Sequence, residues 1–301
     1  MAISRGQLVK ELEPGLNALF GLEYKRYENQ HLEIYEVESS ERAFEEEVML
    51  SGFANAAVKP EGSGVTFDNA QETFTARYTH ETIALAFAIT EEAIEDNLYD
   101  RIASRYTKAL ARSMANTKQV KAANVLNNGF DSNYAGGDGS PLFATNHPTI
   151  AGSFSNTLAT QADLNETSLE QAIIDIAALT DERGLKIAAR PVKAIVPPEL
   201  QFTSERLMKS EGRTGTANND INAIKSMGMV PQGYTVNNFL TDPDAWFLRT
   251  DVPNGMKMFL RAPIKTSMEG DFDTGNVRYK ARERYSFGWS DPRGIFGSQG
   301  A

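Results

Sequence analysis

TEEAIEDNLYDRIASRYTKALARSMANTKQVKAANVLNNG, residues 90–129, sets the scale on which the rest of the chain is read. Ile94, Leu98, Ile102, Tyr106, Leu110 and Met114 recur every four residues, the spacing of one helix face. Thr90 is placed to cap the first turn, and Glu91 and Glu92 sit at the positive end of the dipole. Val120 and Ala123 continue the apolar content less regularly, and Asn127-Asn128-Gly129 supplies a left-handed stop. The pattern predicts one helix over 91–127, about 55 Å long. That is roughly three times the usual length, so other elements are expected to lie along it.

An element of comparable length closes the chain. Val277, Tyr279, Ala281, Tyr285, Phe287 and Trp289 share one face of a strand, with Glu283 the exception, while Arg278, Lys280, Arg282 and Arg284 share the other. At roughly 3.3 Å per residue this strand spans about 43 Å. Helix and strand are expected to pack as one elongated layer.

Before the helix, two extended runs, about Phe44 to Ala56 and Thr66 to Ile89, flank the turn-rich Lys59-Pro60-Glu61-Gly62-Ser63-Gly64 and read as a long hairpin. In the second run Phe74, Ala76 and Tyr78 are even-numbered, but Ile83, Leu85, Phe87 and Ile89 are odd. A parity switch near His80 to Thr82 implies a bulge or a strand that changes partners. Residues 1–40 hold Leu8, Leu12, Leu16, Leu19 and Phe20 around Pro14-Gly15, then a segment with Tyr24, Tyr27 and Tyr35. They read as an arm needing a partner surface.

Beyond the helix, 130–165 is glycine- and serine-rich loop. From 166 the pattern turns α/β. Thr167 with Glu170 reads as a capping box opening a helix with Leu169, Ala172, Ile173, Ile176 and Leu179 on its face, closed by Gly184. A strand over Val192 to Val196 precedes a helix over Glu199 to Ser210 and a flexible loop over Gly212 to Asn219. Strand-like runs follow near Tyr234 to Leu240, Trp246 to Arg249 and Met256 to Leu260, giving helices packed on a sheet.

Composition excludes several function classes. The chain has 301 residues and a net charge of −10, against a dedicated nucleic-acid binder with a basic surface. It has no cysteine, which removes disulfide scaffolds, thiolate zinc sites and cysteine nucleophiles. No stretch approaches the ~18 apolar residues of a membrane span, and Met1 to Gly6 lacks a signal-peptide core. The protein is expected to stay where it is made or to leave inside a particle.

The search for chemistry is equally negative. Neither a phosphate loop, a G-x-G-x-x-G after a strand, nor a G-x-S-x-G elbow occurs. His80-Glu81 lacks the second ligand of a metalloprotease helix because position 84 is alanine. Asp273-Thr274-Gly275 matches the aspartic-protease tripeptide, but its polar setting reads as a turn between strands. Gly270 to Asp273 resembles the start of a calcium loop, yet Gly275 occupies a ligand position and no glutamate closes it. His147, in an Asn-His-Pro turn, reads as a turn-stabilising side chain. No catalytic, cofactor-binding or metal-binding residue is assigned. The basic face Arg278, Lys280, Arg282 and Arg284 is read as pairing across strands and subunits, with Glu45, Glu46 and Glu47 of a neighbouring subunit as the candidate acids. Packaged DNA is the other reading for that face. Lys59 and Pro60 mark the hairpin tip as a further interface candidate.

The order of elements resembles the α+β capsid fold of phage HK97 and its relatives. In that scheme 1–40 is the N-arm, 41–89 the E-loop hairpin and return strand, 90–165 the spine helix with the first part of the P-domain, 166–261 the A-domain, and 262–301 the second part of the P-domain. Several stretches are similar to the Mu-like major head subunit family. They are Tyr78 to Thr82 running into Ile89 to Tyr99, Pro141 to Pro148 ending at Gly152 to Asn156, Ile195 to Leu200, Asp242 to Leu248, and Arg282 to Trp289. The resemblance implies a non-enzymatic subunit forming pentamers and hexamers of an icosahedral shell around double-stranded DNA, touched weakly and non-specifically. It also implies a portal and a decoration protein as partners and assembly in the host cytoplasm. A separate scaffolding protein is expected because no scaffold-like segment precedes the arm. The lysine–asparagine crosslink of some relatives finds no matching residues here. The alternatives are an encapsulin-like compartment shell and, from another class, an enzyme built on 166–261.

Overall fold

The computed structural model describes residues 5–90, 92, 99–213, 220–271 and 275–301. In chain order the helices are α1 (Arg5–Arg26), α2 (Tyr99–Asn127), α3 (Glu166–Ala178), α4 (Gln201–Lys209) and α5 (Ala223–Ser226). The strands before the loop region are β1 (Glu36–Ser39), β2 (Phe44–Leu50), β3 (Glu72–Thr79) and β4 (Glu81–Ile89). Those after it are β5 (His147–Thr149), β6 (Gly152–Phe154), β7 (Pro191–Val196), β8 (Tyr234–Val236), β9 (Trp246–Thr250), β10 (Met256–Gly270), β11 (Val277–Trp289) and β12 (Ile295–Ser298). The expected helix start, with Glu91, Ile94 and Leu98, lies outside the described residues, as do Asp273-Thr274 and 214–219.

Long helix and long strand do form one layer. One sheet runs β1-β10-β11-β4, and Ala103, Leu110, Ala111 and Met114 of α2 pack on Tyr279 and Ala281 of β11. The parity switch at His80 marks a change of partner: β3 pairs with β2, whereas β4 pairs with β11 from Glu81↔Tyr285 to Ile89↔Val277. Glu283, the odd residue on the apolar face of β11, is fully buried opposite Lys118 of α2.

The second layer is a mixed sheet, β12-β9-β7-β8, covered by α3 and α4. Its core holds Leu169, Ile176, Trp246, Leu248 and Phe296. The indole N–H of Trp246 donates to the Ala162 carbonyl at 3.0 Å, so this large ring is buried with its one donor satisfied.

Several expectations are corrected. The arm is not without a surface of its own: α1 runs through Pro14-Gly15 and lays Leu16 and Phe20 into the α2–β11 core. A proline inside a helix costs about 3 kcal/mol, and two such side chains return about 1.5–3 kcal/mol each, so docking outweighs the break. The cap of α3 is Asn165, whose side chain accepts from the Ser168 N–H while the Ser168 hydroxyl accepts from the Asn165 N–H. Thr167 and Glu170 do not form it, because the chain enters the helix two residues earlier than the sequence pattern implies. Gly184 closes no helix; α3 ends at Ala178, and Gly184 takes φ 82° in the following turn. β10 does not stop at Leu260 but continues to Gly270 past Pro263, with register shifts between Leu260 and Lys265 that accommodate the missing N–H. After β11 the chain returns to the second layer, where β12 pairs with β9.

Candidate subunit interface

The hairpin is built differently at its base and its tip. At the base β2 and β3 pair from Phe44↔Thr79 to Leu50↔Glu72, and residues 51–71 then continue without strand pairing. Phe53, Val58, Val65 and Phe67 on this stretch are exposed, Phe67 to 98%. Lys59 and Pro60 sit in its exposed turn, where the Pro60 carbonyl accepts from the Ser63 N–H at 3.2 Å and hydroxyl at 2.8 Å.

The base lies across one face of the β10–β11 sheet. Period two puts Arg278, Lys280, Arg282, Arg284, Ser286 and Gly288 on that face. Tyr78 of β3 sits over Gly288, where a Cβ would meet the Tyr78 ring at 2.8 Å, and its ring meets Phe259 edge-on with centroids 4.7 Å apart. His80 bridges the Ser40 and Ser286 hydroxyls at 2.8 and 3.0 Å. Burial, then the charge of Arg284, holds the His80 imidazole below its ordinary pKa.

The hairpin covers only half of this face. Beyond Ser286 the surface carries Arg282, Lys280 and Arg278 of β11, each exposed, with Lys265, Ser267 and Glu269 of β10 opposite them. The exposed Ala84, Ala86 and Ala88 of β4 flank them on the other side. Arg282 lies directly across from Lys265, a like-charge pair that weakens a sheet. Among the described residues Lys265, Lys280 and Arg282 have no ion pair. The opposite face of the same strands is covered by α1 and α2.

The three expected acidic residues lie on the hairpin base, in β2. Glu45 accepts from the Ser40 hydroxyl at 2.7 Å, and Glu46 lies 3.8 Å from Arg77. Glu47 takes Lys257 and the Ser290 hydroxyl. Within one chain none of the three reaches the basic stripe. Arg278 pairs with Asp271, and half-buried Arg284 lies 3.5 Å from the Ala43 carbonyl.

Three buried polar clusters escaped the sequence reading, because their partners are far apart in the chain. Lys118 Nζ lies 2.5 Å from both the Glu283 carboxylate and the Tyr24 hydroxyl, and Tyr24 in turn donates to Glu283 at 3.1 Å. Burial raises the Glu283 carboxyl, opposed by Lys118. Lys257, 3% exposed, joins Glu38 at 2.9 Å as well as Glu47. His147 is more than a turn-stabiliser: Nδ1 meets Asp138 at 2.6 Å and Nε2 meets Asn156 at 3.1 Å. Asn156 donates to the Leu142 and Pro292 carbonyls, and nearby Arg293 pairs with buried Glu182 at 2.7 Å. The last cluster ties the loop region to the connection between β11 and β12. A groove of about 450 Å³ beside β2 is lined by Glu47 to Leu50, Pro253, Asn254, Ser290 and Asp291.

A long helix laid on a long sheet, a hairpin leaving that sheet, and an α/β layer beside it define the HK97-like capsid fold, a shell-building architecture. The same fold is seen in the virus-like particle from Pyrococcus furiosus, with a TM-score of 0.55, 9% identity, and 94% of this chain and 97% of that one covered. A chain from Mycobacterium phage Patience matches at 0.55 and 10% identity over 98% and 88%. The procapsid of bacteriophage JBD30 matches at 0.53 and 15% identity over 98% and 76%. No curated protein matches the sequence significantly. Residues 72–297 match the phage capsid protein family model, and the chain belongs to that family. It is a capsid shell protein, and the family match leaves the encapsulin-like alternative with less support.

Proposed function

We propose that the chain is the major subunit of an icosahedral phage head, assembling as pentamers and hexamers around double-stranded DNA. The observation that carries this reading is a hairpin tip whose apolar side chains stay exposed, though Arg183 holds it at Asp68 and Asn69, on the same molecule as a bare, basic half-sheet. The tip of one copy continues across the Arg278–Arg284 face of the next, where that copy's own hairpin base leaves off. Glu61 on the tip meets Lys280 and Arg282, while Phe53, Val58 and Phe67 leave water. Closed symmetry multiplies many such contacts into a stable shell. The net charge of −10 keeps contact with packaged DNA weak and non-specific. Assembly takes place in the host cytoplasm with a scaffolding protein and a portal, and a decoration protein binds the finished head.

Deletion of residues 57–64 tests the reading. The shortened chain is expected to stay folded, by circular dichroism and cooperative unfolding, and to form no shells by electron microscopy. Normal particles from the deletion variant would refute the role of the tip.

A further inference from the structure

We propose that Lys257 is the positioning residue that fixes the angle at which the β2–β3 hairpin leaves the body, and that this angle sets the curvature of the shell. The second half of the proposal rests on the reading that the hairpin spans to a second copy.

The base of the hairpin has little apolar grip. Its cluster with the body is Ala76, Tyr78 and Phe259. Gly137 lies close against the Thr75 backbone, and Arg183 donates to the Asn69 carbonyl at 2.6 Å further out; between them the attachment is a continuous polar chain. Lys257, in the middle of the sheet, holds Glu38 of β1 and Glu47 of β2. Glu47 also takes the Ser290 hydroxyl, and Ser290 Oγ lies 2.5 Å from the Tyr78 hydroxyl of β3. One chain of contacts, Glu38–Lys257–Glu47–Ser290–Tyr78, therefore ties both hairpin strands to the ends of β10 and β11.

Apolar contact is non-directional and tolerates rotation, whereas hydrogen bonds hold only within a narrow range of angles. For stability alone an apolar side chain would serve as well as a buried ammonium. What the ammonium adds here is a single geometry. The lever is long, since Glu47 to Glu61 extends up to about 45 Å. A rotation of about 10° at the clamp would then move the tip by about 8 Å, twice the ~4 Å range of a side-chain contact. A loose clamp leaves the subunit folded but presents its tip to the neighbour at many angles.

The chain has no cysteine, so Val58→Cys with Gln171→Cys gives a clean spin-label pair between the exposed hairpin tip and the body. Distances are read on the unassembled subunit, and particle diameter by electron microscopy. Lys257→Met with Glu47→Gln removes the clamp while leaving Glu47 neutral. It is expected to fold, to broaden the distance distribution about twofold, and to give open sheets or particles of mixed diameter. Lys257→Arg, which keeps the charge and donors, is expected to retain a narrow distribution and uniform shells. An unchanged distribution in the double variant, with closed shells of wild-type diameter, would overturn the proposal. Should the double variant fail to unfold cooperatively, Ser290→Ala cuts the same chain of contacts and is judged by the same two readouts. Absence of shells from the wild-type chain expressed together with its scaffolding protein would instead refute the assembly reading, and the spin-label distances would still decide the angle.

Discussion

Replacing Lys118 by methionine removes the positive charge that pairs with a fully buried carboxylate. The Glu283 side chain is 0% exposed; one oxygen accepts from Lys118 and Tyr24, and the other has no partner. Breaking a buried pair from one side costs about 3–5 kcal/mol, because the remaining charge is left uncompensated. The loss depends on pH in a defined direction. Burial already raises the Glu283 pKa, and removing the ammonium raises it further. A raised acid is no burden below its unfolded pKa of about 4.3, and its penalty grows as pH rises towards the folded value. The variant should therefore approach wild type near pH 4 and lose the full amount at pH 7 and above. Adding Glu283→Gln should recover most of the loss, since the amide oxygen still accepts from Tyr24 without a charge to bury. Urea unfolding of the unassembled subunit, followed by fluorescence at both pH values, measures all three proteins. A loss under about 1 kcal/mol at pH 7, or a loss independent of pH, would refute this account of how α1, α2 and β11 are joined.

His31 predicts a second pH effect on wild type. Burial and the nearby Lys118 lower its pKa to about 4, so stability present above pH 6.5 should be lost between 6.5 and 4. The limit is about 3 kcal/mol, and His31→Leu should flatten that slope in urea unfolding. At Gly294 a Cβ would stand 2.3 Å from the Gly255 Cα, backbone against backbone. Gly294→Ala should cost about 1–3 kcal/mol or more, read as a lowered thermal midpoint; an unchanged midpoint would mean that the β10 entry and the β12 turn move apart easily.

Elements with a strong period were readable directly. β11 was legible because every second residue from Val277 to Tyr285 meets the core, and even the intruding Glu283 fell in phase with its neighbours. The partner change at His80 was legible for the same reason, since parity is a local property that records which face is buried. What could not be read were pairings between distant residues. Lys118 and Glu283, Lys257 and Glu47, and Arg293 and Glu182 carry no mark in local sequence of having found each other. α1 was misjudged because Pro14 is a strong local signal and the docking of Leu16 and Phe20 on α2 is a tertiary one. At the candidate interface the basic stripe was legible as alternation. The commitment of Glu47 to Lys257 and Ser290 in its own chain carried no such local mark.

Electron cryo-microscopy of particles formed by the overexpressed chain, at a resolution that traces backbone, bears most directly on the central claim. The expected density shows closed shells in which residues 51–71 of each copy lie over the Arg278–Arg284 face of the next. Shells in which every tip folds back onto its own copy, leaving that face open to solvent, would contradict it.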